Sequence, residues 1–435
     1  MTATPAMPII GFAGLSHLGL VSIIAAASKG FNVIGYDADA GLCGRLSAGE
    51  LPVHEPELPE LLATHRSRLT FAPDAAALAP CGVVFVAVDV PTDANDRSDL
   101  TPVTNLLDLV AAQVRPGTAI VVLSQVNPGY TRTARARAEA RGARVYYQVE
   151  TLIFGRAVHQ AVRPERFMVG CADPAAPLAP ALRAFLDAFG CPILPMRYES
   201  AELCKISINM FLVSQVSTTN MLAEICEQIG AEWREIAPAL RLDRRIGPHA
   251  YLGAGLGIGG GNLQRDMATI RGLAAEHGTD AALVDVWAAN SQYRRDWALR
   301  ELHRRVIATL ERPAIGVWGL AYKESTQSTR NSPAVHLLDK LAAFDVTAYD
   351  PAAVLPSGAL PHVTRVATAL EACRERDVLL VMTPWPEFAA VDAAAIRSAM
   401  RGSTIIDPFG VMDPTAAAHS QLAHFRLGTG ALARC

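Results

Sequence analysis

PIIGFAGLSHLGL, residues Pro8–Leu20, reads as a buried strand that runs into a tight turn and then a helix. Pro8–Ala13 is almost continuously apolar, as in parallel strands covered on both faces. Gly14, Ser16 and Gly19 follow in the frame G-x-G-x-x-G, with His17 and Leu18 between the last two. In that frame the first glycine makes the turn, the second admits a pyrophosphate, and the third packs helix on strand. Ser16 departs from the frame at its middle position. The next apolar run, Asn32–Asp37, ends on a carboxylate. Asp37 suits ribose hydroxyls and repels a 2′-phosphate, so the pattern predicts an NAD site.

Outward from this unit, Gly82–Val88, Thr118–Ser124, Arg144–Val149 and Arg166–Cys171 continue the alternation of apolar runs with helical stretches. Ser200–Gly230 then runs without proline. Ser200 as N-cap, Glu202 in the first turn and Gly230 as a stop predict one long helix. Apolar runs return at Ala314–Leu320, Asp345–Asp350, Asp377–Met382 and Ser403–Pro408. The expected fold is α/β, with two doubly wound Rossmann-like domains joined by a long helix in a helical middle domain. The expected boundaries are 1–197 for the NAD-binding domain, 198–310 for a helical dimerisation domain and 311–435 for the C-terminal domain.

A chain of 435 residues exceeds one compact core. Its net charge of −3 gives no electrostatic case for binding nucleic acid or an anionic membrane. No apolar run reaches bilayer length, and the start MTATPAMPIIGFAG lacks the basic region of a signal peptide. The eight cysteines, from Cys43 to Cys435, include no CxxC pair. That spacing argues against a metal site or a disulfide framework and predicts a reducing cytoplasm.

Lys205 and Asn209 lie four apart on the long helix and share a face. A lone lysine is ordinarily a solvated surface group. Here Leu203, Ile206, Ile208, Met210 and Phe211 surround the pair with apolar residues. An ammonium and an amide in such packing can hold a hydroxyl and stabilise a developing oxyanion. Glu150 follows an apolar run at the carboxyl end, where open α/β sheets place ligands. GLGIGGGNLQRD, Gly255–Asp266, has five glycines in its first seven residues, which predicts close approach of backbone to a ligand. The run ends at Asn262, which is neither a nucleophile nor a useful base.

These motifs, in this order, resemble the UDP-glucose/GDP-mannose dehydrogenase family over nearly the whole chain. Glu50–Leu62 is similar to its acidic E-P-G-L region, Val88–Asp93 to V-G-T-P, and Ser124–Thr131 to S-T-V-P-x-G-T. Gln148–Ala157 is similar to N-P-E-F-L-x-E-G-x-A, and Ala201–Phe211 to A-E-x-x-K-x-x-x-N-x-F. Arg245–Asp266 is similar to the segment that ends G-F-G-G-S-C-F-P-K-D, and Gly319–Ala334 to G-L-A-F-K-x-x-T-D-D-x-R-x-S-P-A.

The resemblance implies NAD as cofactor, held by Gly14, Ser16, His17, Leu18, Gly19, Asp37, Val88, Pro91, Gln125 and Arg330. It implies a UDP-hexose or similar nucleotide sugar, held by Leu256, Gly257, Ile258, Gly259, Gly260 and Lys323. Arg245 matches an arginine lent to the neighbouring subunit of a homodimer built on the long helix. Lys205, Asn209, Glu150 and Asp266 match groups that hold the oxyanion and handle water.

Members of the family oxidise the sugar's C6 alcohol to a carboxylate in two hydride transfers, and a cysteine captures the intermediate aldehyde. Asn262 stands at that cysteine's position, Gln125 replaces a threonine and Asp89 replaces a glycine. An amide forms neither thiohemiacetal nor thioester. The expected activity is therefore NAD-dependent oxidation of one alcohol, by a single two-electron step or a thiol-independent route. Two alternatives stay open. One is a silent protein that binds NAD and a nucleotide sugar, and the other is a secondary-alcohol dehydrogenase that forms a ketone.

Overall fold

The computed structural model describes residues 7–430 except 94–96, 354 and 357; Cys435 and the first six residues lie outside the described residues. The chain divides within its long helix into two compact units, Met1–Ile208 and Asn209–Cys435.

In the first unit, the described residues form an eight-stranded sheet of order β3-β2-β1-β4-β5-β6-β7-β8. The strands are β1 Ile10–Ala13, β2 Val33–Tyr36, β3 Leu69–Ala72, β4 Val83–Val86, β5 Ala119–Val122, β6 Arg144–Gln148, β7 Phe167–Cys171 and β8 Ile193–Arg197. Neighbours from β3 to β6 are parallel, with Ile10 opposite both Val33 and Val83. The chain turns back once: β7 is antiparallel to β6, and β8 runs parallel to β7. The strand order reverses between β1 and β4, the switch point at which doubly wound sheets bind ligands. β1, β4 and β5 are buried along their whole length, which explains their unbroken apolar runs. Phe12 and Phe85 stack across the β1–β4 pair at 4.8 Å.

The second unit carries a six-stranded parallel sheet of order β11-β10-β9-β12-β13-β14 among the described residues. These strands are β9 Ile315–Trp318, β10 Val346–Tyr349, β11 Val363–Arg365, β12 Val378–Val381, β13 Thr404–Ile406 and β14 Ala423–Phe425. β3, β8, β11 and β14 have no counterpart among the apolar runs of the sequence, and all four are sheet edges. They are partly exposed, so burial does not demand apolar residues along them. Pro195 sits in edge strand β8, a place a proline tolerates because one flank needs no donor.

The long helix spans Tyr198–Ile229, 32 residues. It starts two residues earlier than the sequence suggests, so Ser200 lies in its first turn and is not its N-cap. Tyr198 is responsible: it is buried, and its hydroxyl donates to the Val145 carbonyl at 2.6 Å, which anchors the helix where β8 ends. The far half is pinned by Arg294, which is fully buried and lies 3.2 Å from both Glu224 and Glu227. Glu227 also accepts from the Trp297 indole and the Gly428 amide. Among the described residues no helix is long and apolar enough to cross a membrane.

Candidate active site

The first turn is built by steric necessity. Gly14 has φ +94°, and a Cβ there would lie 3.1 Å from the Ala87 carbonyl. A Cβ on Gly19 would come within 2.0 Å of the Gly14 oxygen, so the third glycine does let helix pack on strand. Ser16 turns its hydroxyl toward the Ala87 carbonyl, 3.3 Å away, and makes no cap bond to the helix His17–Ser28. The first amides of that helix, at His17, Leu18 and Gly19, therefore receive no bond from the Ser16 side chain, the arrangement a phosphate-binding helix start requires. Asp37 is half-buried, with one oxygen accepting from Leu15 N–H and the other from Asp39 N–H, both at 3.0 Å. Each oxygen keeps lone-pair capacity for a ribose diol. The serine at the middle of the motif is thus accommodated, and the turn fits a dinucleotide.

Val88 and Gln125 are half-buried, and the Ser124 hydroxyl donates to the Val88 carbonyl at 2.6 Å, joining their two loops. Pro91 and Asp89 are exposed, so the carboxylate in place of the family's glycine is solvated. Asp37→Ala is expected to weaken NAD binding by about 10- to 100-fold, the worth of hydrogen bonds to a charged acceptor. Sugar-nucleotide affinity should not change. A titration of NADH fluorescence checks this, and unchanged NADH affinity removes Asp37 from the cofactor site.

The second sheet repeats the glycine turn and the acid but uses the acid differently. Gly319 follows β9 with φ +90°, and Asp350 follows β10 as Asp37 follows β2. Asp350, however, is buried and already saturated. Its carboxylate accepts from the backbone amides of Leu320, Ala321, Ala352 and Ala353 and from the Trp385 indole. The next helix does not start until Pro333, so no helix end points at the turn.

The glycine loop is shaped largely by its neighbours within the second unit. A Cβ on Gly257 (φ +79°) would lie 2.4 Å from the Ser291 carbonyl, and the Ser291 hydroxyl accepts from Ile258 N–H. At Gly259 and Gly260 a Cβ would press on the Tyr322 side chain, and at Gly261 on the Arg330 guanidinium. Gly260 donates to the Arg330 carbonyl at 3.0 Å. The Asn331 amide donates to Gly260 O at 2.7 Å and also to Gln264. Leu256 and Ile258 are buried behind the loop, and Lys323 and Arg330 belong to the segment that braces it. Most of these glycines are therefore required by packing, where the sequence alone reads only a ligand cradle.

Asn262 is exposed and opens the helix Asn262–His277, with its Oδ1 3.4 Å from Arg265 Nη2. Asp266, one turn on, is fully buried and accepts from the Asn209 amide at 2.5 Å. Arg265 Nε lies 3.7 Å from the same carboxylate. Arg245 stands apart, exposed and doubly bonded to Asp243.

In the first unit Glu150 follows β6 beside Lys205. Burial pushes the Glu150 carboxyl above its ordinary pKa; the Thr151 amide and the Lys205 ammonium oppose that rise and only partly offset it. Sequence reasoning passed over Glu202 as an ordinary first-turn acid. It is buried and accepts from the Gly129 and Thr131 amides at 2.6 and 2.8 Å, which fixes the loop carrying Gln125. A cavity of about 220 Å³ in the second unit is lined by Trp233, Arg234, Arg241, Leu252, Gly253 and Phe409 among others.

Family sequence patterns match in three pieces: the NAD binding domain over residues 9–184, the central domain over 199–292 and the UDP binding domain over 316–414. A UDP-glucose 6-dehydrogenase of Rhizobium meliloti (strain 1021) is 31% identical over 412 residues, covering 91% of this chain and 93% of that protein. The chain belongs to the UDP-glucose/GDP-mannose dehydrogenase family. The UDP-glucose 6-dehydrogenase TuaD of Bacillus subtilis (strain 168) is 28% identical over 416 residues, 92% of this chain and 89% of that one. A solved UDP-glucose dehydrogenase of Pyrobaculum islandicum matches with a TM-score of 0.85 at 28% identity, covering 99% of this chain and all of that one (100%). This family member is an NAD-dependent dehydrogenase that acts on a CH–OH group, and its substrate is a nucleotide sugar.

Proposed function

We propose that this dehydrogenase oxidises the C6 hydroxymethyl of a UDP-hexose in a single two-electron step. One observation carries the reading: Glu150, just past the end of β6, lies within reach of the Lys205 ammonium on the long helix, while position 262 holds an amide. NAD supplies the hydride acceptor. The Lys205 ammonium and the Asn209 amide hold the hydroxyl and stabilise the alkoxide as it forms. Asp266 fixes the Asn209 amide, and Glu150, with its raised pKa, takes the proton directly or through a water. Asn262 offers no nucleophile, so the aldehyde is released and not captured. The loop Gly255–Gly261 and Lys323 hold the sugar and its phosphates, and the base and ribose occupy the cavity beside Trp233 and Phe409.

In this reading the chain divides functionally into 1–197 for cofactor, 198–310 for dimerisation and 311–435 for the nucleotide sugar. A homodimer through the long helix is supported by Phe211, Met221, Ile225 and Ile229, large apolar side chains exposed along it. The cysteines among the described residues are all free, in keeping with a cytoplasmic location.

The test is stoichiometric. Purified protein with UDP-glucose and excess NAD should form one NADH per sugar consumed and an aldehyde that a hydrazine reagent traps. Two NADH per sugar with a carboxylate product overturns the two-electron reading.

A further inference from the structure

Glu55 is a buried carboxylate that the mechanism above does not use. It sits in the acidic stretch ELPVHEPELPELL, and two otherwise separate segments of the first unit converge on it. His17 Nε2 lies 2.8 Å from Glu55 Oε1. The Gly155 amide donates to both carboxylate oxygens at 3.0 Å. The Phe154 ring covers the His17 ring, with centroids 4.3 Å apart. His17 is the first residue of the helix at the cofactor turn, and Gly155 lies in the loop that begins at Glu150.

A buried carboxylate is costly unless paired and hydrogen-bonded. An apolar side chain would join two loops with no such cost. What the carboxylate adds is direction: it fixes one imidazole nitrogen and one backbone amide at hydrogen-bond distances. Gly155 has φ +84°, so the peptide it presents is set by a backbone that other residues rarely adopt. We infer that Glu55 is a positioning residue, tying the loop 151–156, and through it Glu150, to the turn that seats the cofactor. The inference rests on the reading of Glu150 as proton acceptor. Misplacing such a group by about 1 Å costs on the order of 100-fold in rate.

The experiment compares Glu55→Ala and Glu55→Gln in the full chain. Glu55→Ala should lower kcat by about 10- to 100-fold, with KM for the UDP-sugar and the Kd of NADH within about threefold of the parent. Glu55→Gln keeps an acceptor for the Gly155 amide and should recover most of kcat. Amide hydrogen exchange, which needs no turnover, should accelerate over 151–157 in the alanine variant and stay slow in the glutamine variant. If Glu55→Ala does not fold, Glu55→Asp, too short to reach both segments, replaces it. Faster exchange with unchanged kcat overturns the inference, as does a defect confined to NADH affinity. Glu150→Gln separates the two readings. If that variant alone keeps full kcat, the role of Glu150 fails; if it loses activity and Glu55→Ala adds nothing to the loss, both readings stand.

Discussion

Lys205→Ala is expected to lower kcat by about 1000-fold while NADH and the UDP-sugar still bind. The ammonium matters little to the bound alcohol and most to the alkoxide that develops as hydride leaves. Its loss should therefore appear in kcat far more than in KM. Removing one such oxyanion donor costs about 3–4 kcal/mol of transition-state stabilisation. A second effect adds to the first. Glu150 is held above its ordinary pKa by burial, and the Lys205 charge is one of two influences opposing that rise. Without the charge the carboxyl titrates higher still and is more often protonated near neutrality, where it cannot accept a proton. The residual activity of the variant should accordingly climb toward alkaline pH more steeply than that of the parent. NADH absorbance across a pH series measures both effects. Activity within a few-fold of the parent would take Lys205 out of the mechanism.

Legibility in the sequence follows from how local each physical demand is. Interior strands such as β4 and β5 are buried on both faces and announce themselves as apolar runs, whereas edge strands β8 and β14 face solvent and do not. The Gly14 turn and Asp37 are readable because turn, helix start and acid lie within one β-α-β unit. Asp350 looks the same in sequence, since it also follows a tyrosine at the end of a strand. Only its five donors, among them the indole of Trp385 thirty-five positions away, mark it as a structural lock. Glu55 and Glu202 stayed hidden for the same reason, with amide partners 100 and 73 or 71 positions distant. The glycine loop was legible as special, but its cause was not: Ser291, Tyr322 and Arg330 crowd it from segments distant in the sequence, and the motif that holds Tyr322 and Arg330 reads there as ligand-binding, not as packing.

Asn262→Cys is expected to convert a one-NADH reaction into a two-NADH reaction ending in the carboxylate. The substitution should leave the loop intact, because Asn262 is exposed and the glycines before it are braced by Ser291, Tyr322 and Arg330 without its help. The new thiol would open the helix Asn262–His277, whose N-cap, Gly261, provides no side-chain bond, and would stand near the Arg265 guanidinium. Helix end and guanidinium both favour the thiolate over the thiol. A thiolate there adds to the aldehyde carbon as a thiohemiacetal. That adduct still carries a C–H hydrogen to give as hydride to a second NAD, and water then releases the resulting thioester as acid and free thiol. Alkylation gives an independent check, since no cysteine among the described residues is exposed and a reactive new thiol should dominate iodoacetamide labelling. The informative failure is a variant that labels readily and oxidises the alcohol at the parental rate, yet forms no acid. Such a result means the carbon oxidised is not a primary alcohol. The better reading would then be a secondary alcohol going to a ketone, since an adduct formed on a ketone carbon bears no hydrogen to transfer.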